Sequence, residues 1–275
     1  MNLLEKILLK LKIFLRHPVF AYYFVLHYFI NNEGCGAKFY TNEEVKERIK
    51  EGKSIIRYGD GEATMMLGGY IFYQKYNESL SNTLKKIVQN CTANTNYCLS
   101  VPDIINEKSK NLKKRFLYTI YTLLITYYKL FFKKDIKYVD AFIFYKHDVL
   151  DFVKNVKENL VFITPQKSKD MIIEGSYFNE YKKCFKNIDF ITVKAIDSYD
   201  EKDYVLKKIR EFDYRNTLFL FSCGPSGKAF IYDISSYGAQ GIDLGHGISW
   251  FWSKETLPLI TRSEGIFNII FKNFL

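Results

Sequence analysis

The sequence predicts an α/β fold in which a mostly parallel sheet is covered by helices on both faces. Short apolar runs typical of strands alternate with amphipathic helical patterns, which is the order that βαβ units require. The 275 residues suffice for a single domain with its own core. Hydrophobic residues make up 48% and charged residues 25% of the chain, and these values exclude the disordered, collagen-like and coiled-coil classes.

An N-terminal amphipathic helical segment, residues 1–34, precedes the predicted sheet. Its first half carries apolar residues on one helical face and lysines on much of the rest, and Pro18 ends or kinks the helix. Residues 19–30 are apolar but fall short of the ~20 residues that a membrane-spanning helix needs. Two interpretations stay open, a basic anchor on a membrane surface or a helix packed on the domain.

The elements of the domain, residues 35–255, follow in order. A helix begins with Thr41 or Asn42 as its N-cap and ends near Gly52, and a strand starts at Ser54. Further strands are predicted over residues 97–101, 141–145, 160–164, 190–193 and 218–222. Helices are predicted over residues 117–134, 200–212 and 228–237, the first of them as a core helix. Residues 256–275 are expected to form a tail that packs on the domain.

The most informative stretch is RYGDGE, residues 57–62, where a strand runs into a helix. In open α/β sheets such a loop lies at the carboxyl edge, where ligands bind. Asp60 and Glu62 offer two carboxylates to a hard cation, and Arg57 can pair with a phosphate. The glycines permit a positive φ or the close approach of a ligand. The local alternative is that Asp60 is a helix N-cap and Glu62 favours the helix dipole.

Two further stretches lie near the end of the predicted domain. Residues 222–228 read SCGPSGK, but a nucleotide P-loop requires Gly in place of Ser222 and Ser or Thr in place of Ala229. A helix N-terminus close to Lys228 remains, which suits an anion, although a plain turn is the alternative. Asp243 and His246 can form a base and its orienter, whereas a lone histidine near glycine is more often structural.

Charge and cysteine usage restrict the partner and the compartment. Forty Lys and Arg against 30 Asp and Glu give a net charge of +10, which favours an anionic partner. The basic residues are scattered and no recognised motif for nucleic acid is present, so no nucleic-acid partner is expected. The five cysteines include no C-x-x-C pair and indicate buried thiols in a reducing cytosol. The apolar run near Pro18 is interrupted, so we expect no cleaved export signal.

Four sequence blocks in this order resemble the GT-D class of glycosyltransferases, a family first defined as a domain of unknown function in bacterial surface glycosylation. The blocks are R-Y-G-D-G-E at residues 57–62, A-F at Ala141, G-P at Gly224 and D-x-G-H at Asp243. The resemblance implies a single Rossmann-like domain and a nucleotide-sugar donor, usually a UDP-sugar. It also implies a divalent cation, Mn²⁺ or Mg²⁺, held through the D-x-E carboxylates.

The resemblance and the chemistry together assign a candidate site. The metal ligands fall on Asp60 and Glu62, and the catalytic base falls on Asp243 or His246. Contacts to the donor are expected from Arg57, Tyr58, Gly59, Gly61, Ser168, Lys169, Gly224, Pro225 and Lys228. At Lys169 the family usually has an arginine, so the charge is kept but the bidentate fork is lost. Residues 247–252 depart from the family pattern, which leaves the acceptor and the sugar open.

The expected function is therefore metal-dependent transfer of a sugar, foremost from a UDP-hexose, to a glycan, glycoprotein or lipid-linked acceptor. The setting is the synthesis of a bacterial surface polysaccharide or glycoprotein. The basic N-terminal segment suits a cytoplasmic protein in peripheral contact with the inner membrane face. The main alternative is a non-catalytic nucleotide- or phosphate-binding protein at the membrane surface, in which D-G-E is only a turn. A nucleic-acid-binding module is the weakest alternative.

Overall fold

The computed structural model describes residues 12, 15–29, 34–106 and 115–245. The strands are β1 (Lys38–Phe39), β2 (Ser54–Arg57), β3 (Tyr97–Val101), β4 (Lys137–Asp140), β5 (Asn159–Pro165), β6 (Asn187–Val193), β7 (Thr217–Phe221) and β8 (Gln240–Asp243). The α-helices are α1 (Pro18–Phe29), α2 (Asn42–Lys50), α3 (Asp60–Met66), α4 (Glu78–Asn90), α5 (Arg115–Phe131), α6 (Ile143–Lys146), α7 (Leu150–Val153), α8 (Gln166–Glu174), α9 (Phe178–Cys184), α10 (Lys202–Ile209) and α11 (Pro225–Ser235). Short 3₁₀ turns cover Asp103–Asn106 and Ser198–Glu201.

The eight strands form one open sheet in the order β1-β4-β3-β2-β8-β7-β5-β6. Every pairing in this sheet is parallel, and β8 lies between β2 and β7. Because all strands run in the same direction, their carboxyl ends share one edge. The predicted parallel α/β sheet is confirmed, and the loops that follow β2, β7 and β8 are brought to that edge.

Two separate hydrophobic cores cover the two faces of the sheet. Strand β7 places Phe219 and Phe221 in one core and Leu218 and Leu220 in the other, and all four side chains are buried. The first core packs against α3, α4, α5 and α11, and the second packs against α2, α7, α8 and α9. Continuous burial along a strand is typical of parallel sheets with helices on both faces. The predicted two-sided cover is therefore confirmed.

The N-terminal helix α1 packs against α5, so this part of the chain is a helix on the domain. Phe20 is buried and its ring stacks on Tyr127, with 5.3 Å between the ring centroids. The ring nitrogen Nε2 of His17 lies 2.9 Å from the carbonyl oxygen of Leu67, at the end of α3. In the described part of the chain, no helix has the length and apolar character that crossing a bilayer requires. The opposite face of α1 is exposed and apolar.

Most predicted elements match the structure, and one is wrong. Thr41 is the N-cap of α2, and its hydroxyl accepts a hydrogen bond from the Glu44 N–H. The strand predicted over residues 141–145 does not form. Strand β4 ends before it, at Asp140, and the short helix α6 follows. The Asp140 carboxylate accepts a hydrogen bond from the Phe142 N–H at 3.0 Å. This Asx-type turn stops the strand, because it gives the backbone a local partner in place of the sheet.

Candidate active site at the carboxyl edge of the sheet

The loop after β2 begins α3 with one half of a capping box, the hydrogen bond from the N-cap backbone to the side chain three residues on. Gly59 is the N-cap, and its N–H donates to Oε2 of Glu62 at 2.8 Å. Asp60 is the first helical residue rather than the N-cap. Gly59 has an extended backbone, and neither Gly59 nor Gly61 has a positive φ. The positive φ that these glycines permit is therefore not used in this loop, and Glu62 orders the loop through the Gly59 N–H.

Lys228 joins three of the predicted sequence blocks. Its side chain is only 2% exposed, and its ammonium lies 3.0 Å from Oε1 of Glu62 and 2.8 Å from Oδ2 of Asp243. The ammonium also donates to the carbonyl oxygen of Gly224 at 3.0 Å. The ammonium thus has one hydrogen-bond acceptor, the Gly224 carbonyl oxygen, and two carboxylate oxygens within ion-pair distance. Lys228 is committed to internal carboxylates and does not face a solvent-borne phosphate.

Electrostatics keep this buried cluster ionised. Burial alone lowers the pKa of Lys228, but the carboxylates of Asp243 and Glu62 outweigh it and raise that pKa above its usual value. Burial raises the pKa of Glu62, but the charges of Lys228 and Arg57 outweigh it and lower that pKa. A buried charge is tolerated only when it is paired and hydrogen-bonded, as here. Lys228, Glu62 and Asp243 thus form a buried cluster of paired charges at the carboxyl edge of the sheet.

Arg57 lies next to this cluster, against the chain segment that follows Asp243. The Nε of Arg57 donates to the Ala141 carbonyl oxygen at 3.0 Å, and its guanidinium lies over the Tyr145 ring at 5.9 Å from the centroid. Asp243 is buried, and its Oδ1 accepts a hydrogen bond from the Gly245 N–H at 2.9 Å. A Cβ at Gly245, where φ is +53°, would lie 2.5 Å from Nη1 of Arg57. Glycine at 245 therefore lets the chain pass directly under the guanidinium.

Asp60 stands at the rim of the site, where its side chain reaches solvent. Protein atoms nevertheless crowd the carboxylate. This desolvation, followed by the charge of Glu62, raises the pKa of Asp60. Asp60 and Glu62 therefore differ in role, although they are separated by one residue: Asp60 faces outward, and both oxygens of Glu62 already have partners.

The donor set can be compared with the divalent cation that the D-x-E block implies. No group of three or more His, Cys, Asp or Glu side chains within the described ranges could hold a metal unaided. Mg²⁺ and Mn²⁺ commonly take one or two carboxylates together with substrate phosphates and water. Asp60 fits that arrangement. Glu62 is held by Lys228 and contributes its negative charge from behind Asp60.

Gly224 begins α11 against an aromatic side chain that the sequence does not single out. Gly224 has φ +62° and ψ −148°, a conformation essentially restricted to glycine. A Cβ at this position would lie 2.7 Å from a ring carbon of Tyr73. Burial, and then the charge of Glu62, raises the pKa of the Tyr73 hydroxyl. The Tyr73 ring therefore packs on the Gly224 turn at this edge of the sheet.

Replacing Gly224 by alanine is expected to destabilise the protein through two additive causes. Backbone strain costs about 1–3 kcal/mol, and the overlap with Tyr73 costs a further ~1–3 kcal/mol. Urea unfolding measures the loss. The matched control is Gly238→Ala, because Gly238 has φ +87° but open space around the added Cβ. Equal losses in the two variants would contradict the packing of Tyr73 on Gly224.

The remaining predicted residues are distributed as follows. Tyr58 lies in the core at 1% exposure, and its hydroxyl donates to the Leu84 carbonyl oxygen, so it belongs to the packing rather than to the donor site. Pro225 is the first residue of α11. Ser168 and Lys169 lie on α8, which follows β5, two strands away from β8 at the same edge. His246 and the tail over residues 256–275 lie outside the described residues.

A second charged cluster lies at this edge, and the sequence analysis does not predict it. Nζ of Lys146 lies 2.6 Å from Oδ2 of Asp103 and 2.7 Å from Oδ2 of Asp140. Burial, and then the charge of Asp103, raises the pKa of Asp140. These residues follow β3 and β4, next to β2. Each is an isolated charge in the sequence, and only the parallel sheet brings them together.

A family model described as "Glycosyltransferase GT-D fold" matches residues 55–256. The match spans both carboxylates paired with Lys228 and all four predicted blocks. The chain belongs to the GT-D family. The expected fold and family are thus confirmed together, since the same blocks that carry the resemblance form the edge of the sheet.

Relatives of this GT-D chain are distant in sequence. A Streptococcus gordonii protein, "Probable glycosyl transferase Gly", is 21% identical over 225 residues, which is 72% of this chain and 30% of that protein. "Glycosyltransferase GlyD" of Streptococcus pneumoniae is 23% identical over 240 residues, which is 75% of this chain and 26% of that protein. The chain thus spans less than a third of the length of these curated relatives.

Solved structures share the GT-D fold. One, described as "A New Glycosyltransferase (DUF1792) from Streptococcus sanguinis", has a TM-score of 0.63 and 20% identity, with 78% of this chain and 82% of that chain covered. Another is described as a highly conserved domain of unknown function with a distinct glycosyltransferase fold. It has a TM-score of 0.65 and 23% identity, with 84% of this chain and 83% of that chain covered. At such identities the likeness concerns the fold.

Proposed function

We propose that this GT-D chain is a metal-dependent glycosyltransferase. It moves a sugar from a nucleotide-sugar donor, foremost a UDP-hexose, to a glycan, glycoprotein or lipid-linked acceptor of a bacterial cell surface. The chain works in the cytoplasm in peripheral contact with the inner face of the membrane. The observation that carries the proposal is the cluster in which Lys228 holds Glu62 and Asp243 beneath the exposed Asp60.

The donor diphosphate is proposed to lie over the carboxyl edge, above this cluster. Asp60 would hold the divalent cation, and the fixed charge of Glu62 behind it favours a cation at that position. Arg57 supplies a guanidinium for phosphate oxygens. The bound cation adds positive charge where the nucleoside diphosphate leaves. The protein thus stabilises the leaving group while an oxocarbenium-like sugar develops.

The acceptor hydroxyl needs a base if the transfer inverts the anomeric carbon. We assign this role to His246, which follows Gly245 directly in the chain. Asp243 is buried and paired with Lys228, and its Oδ1 binds the Gly245 N–H. Asp243 is therefore proposed as the residue that positions the start of this segment. Ser168 and Lys169 are proposed to contact the nucleotide-sugar donor as well, which extends the site along the same edge of the sheet.

A non-catalytic phosphate-binding protein is the alternative. The observation that favours it is the hydrogen bond from the Gly59 N–H to Glu62, because this interaction gives the D-G-E block a structural role of its own. The alternative predicts nucleotide binding without turnover. It also predicts that neutralising Asp60 leaves nucleotide binding unchanged.

Thermal unfolding with uridine diphosphate and a panel of UDP-sugars, with and without Mn²⁺, tests the proposal. A ligand that binds only the folded state at about a hundred times its dissociation constant adds ~2.7 kcal/mol of stability. We expect one UDP-sugar to raise the midpoint only in the presence of Mn²⁺. Indifference of the wild-type protein to every UDP compound with Mn²⁺ would contradict a UDP-sugar donor.

A further inference from the structure

In the part of the chain that the structure describes, the exposed apolar side chains are concentrated on three neighbouring segments. Of the ten large hydrophobic side chains that are exposed within the described ranges, eight belong to α1 and its approach, to the loop of residues 67–77, or to residue 196. They are Leu15, Val19, Tyr22, Val25, Tyr70, Phe72, Tyr76 and Ile196. Scattered exposed hydrophobics need no explanation, but a contiguous patch marks an interaction surface.

The loop of residues 67–77, here named the aromatic loop, is held firmly in this exposed position. Ile71 and Gln74 exchange two backbone hydrogen bonds, and the Tyr73 carbonyl oxygen accepts from the Asp197 N–H at 3.0 Å. The Ser226 hydroxyl donates to the Gln74 side chain at 3.0 Å. Phe72 nevertheless remains 78% exposed. The loop thus presents Phe72 to the outside while Tyr73, its neighbour, packs on the site.

Hydrogen bonds join the three segments to one another. His17 in the approach to α1 contacts the carbonyl oxygen of Leu67, where the aromatic loop begins. The Lys75 N–H donates to the carboxylate of Asp197 at 2.7 Å, which brings the segment that carries Ile196 against the loop. These hydrogen bonds place the start of α1, the aromatic loop and the segment of Ile196 next to one another, and Tyr73 places the loop next to the candidate active site.

The charges around these segments are mainly basic. Lys12, Arg16 and Lys194 are exposed, and the side chain of Lys75 is exposed beside its partner Asp197. Exposed acids here include Glu78, which directly follows the aromatic loop, and Asp200, so the exposed basic residues exceed them in number. Basic groups around an apolar and aromatic patch complement an anionic lipid surface, where tyrosine and phenylalanine enter the interface and lysine and arginine meet the headgroups.

We infer that α1, the aromatic loop and Ile196 form one surface that docks on an anionic lipid bilayer. The surface borders the site through Tyr73, which contacts Gly224, so docking brings the sheet edge to the membrane. Resting on the proposed function, this placement assigns a lipid-linked acceptor, whose sugar would reach the site from the bilayer. The contact is broader than the N-terminal segment alone.

Flotation of the full chain with vesicles tests the surface. The vesicles contain phosphatidylcholine alone or equal parts of phosphatidylcholine and phosphatidylglycerol. We expect binding to the anionic vesicles, weakened by salt. Phe72→Ser is expected to weaken the partitioning by about tenfold or more, since burial of a phenylalanine is worth at least that factor. Val19→Ser with Tyr22→Ser is expected to act alike.

The matched control is Ile173→Ser, because Ile173 is exposed on α8, outside the proposed surface. It should float like the wild type. The inference is overturned if the wild type ignores anionic vesicles, or if Ile173→Ser loses as much binding as Phe72→Ser. It is also overturned if Phe72→Ser abolishes self-association seen by light scattering while leaving flotation unchanged. Stabilisation by UDP-sugars, measured on the same samples, reports on the proposed enzyme independently of flotation.

Discussion

Replacing Lys228 by methionine is expected to destabilise the protein by about 3–5 kcal/mol, the cost of leaving buried carboxylates without their partner. Glu62 and Asp243 would lose the ammonium that lies within 3.0 Å and 2.8 Å of them. Methionine keeps most of the side-chain volume, so the loss reports on charge rather than on a cavity. Urea unfolding at neutral pH measures it. Any transfer activity should also fall, because the Gly224 turn loses the hydrogen bond that Lys228 donates to its carbonyl oxygen.

Lys202→Met is the matched control for this substitution. The Lys202 ammonium also pairs with an aspartate, Asp233, at 2.8 Å, but both side chains are about 30% exposed. Such a pair contributes only about 0–1 kcal/mol. Combining Lys228→Met with Glu62→Gln should cost less than the sum of the single variants, because the second change removes one of the stranded charges. A Lys228→Met protein that unfolds like the Lys202→Met control would contradict the buried pairing.

Asp60→Asn is expected to remove Mn²⁺-dependent binding of the donor while leaving stability close to that of the wild type. Asp60 lies at the rim, and metal stabilisation of a leaving group is worth several kcal/mol. Turnover should therefore fall on the order of a hundredfold or more. Titration of UDP with and without Mn²⁺ measures the binding. Asp203→Asn is the control, since Asp203 is an exposed aspartate in the first turn of another helix.

The pH dependence of this effect has a defined sign. The folded protein raises the pKa of Asp60, so its proton is retained to a higher pH than on an ordinary aspartate. Mn²⁺ competes with that proton, and metal-dependent binding should weaken as the pH falls through the raised pKa. Metal dependence that persists in Asp60→Asn would contradict the assignment of Asp60 as the metal ligand.

The pH dependence that Glu62 contributes concerns stability and has the opposite cause. The pKa of Glu62 is lowered, so its contribution to stability is present above its unfolded pKa and is lost as the pH falls through the folded value.

The sequence predicts the sheet well because hydrophobic periodicity is local. Strands β3, β5 and β7 each form a short apolar run, and their continuous burial follows from helices on both faces. The loop after β2 reaches the carboxyl edge by the same rule, so Asp60 could be placed from the sequence. The strand predicted over residues 141–145 failed because a single Asp140 side chain redirects the backbone.

The pairing inside the site could not be read from the sequence. Lys228 resembles a phosphate-binding lysine at a helix N-terminus, and only tertiary structure brings Glu62 and Asp243 to its ammonium from segments far apart in the chain. Tyr73 carries no local signal either, since it is one of 22 tyrosines. The Tyr73 ring fills the space that the missing side chain of Gly224 leaves.

Release of uridine diphosphate from UDP-sugars tests the central claim most directly. The wild-type chain is incubated with each UDP-sugar and Mn²⁺, and free uridine diphosphate is measured over time in parallel with Asp60→Asn and Asp203→Asn. Slow hydrolysis to water suffices when the acceptor is unknown. The proposed function predicts Mn²⁺-dependent release from one sugar nucleotide, retained in Asp203→Asn and lost in Asp60→Asn. Binding of a UDP-sugar without release, and equal binding by Asp60→Asn, would contradict the enzyme and favour the phosphate-binding protein.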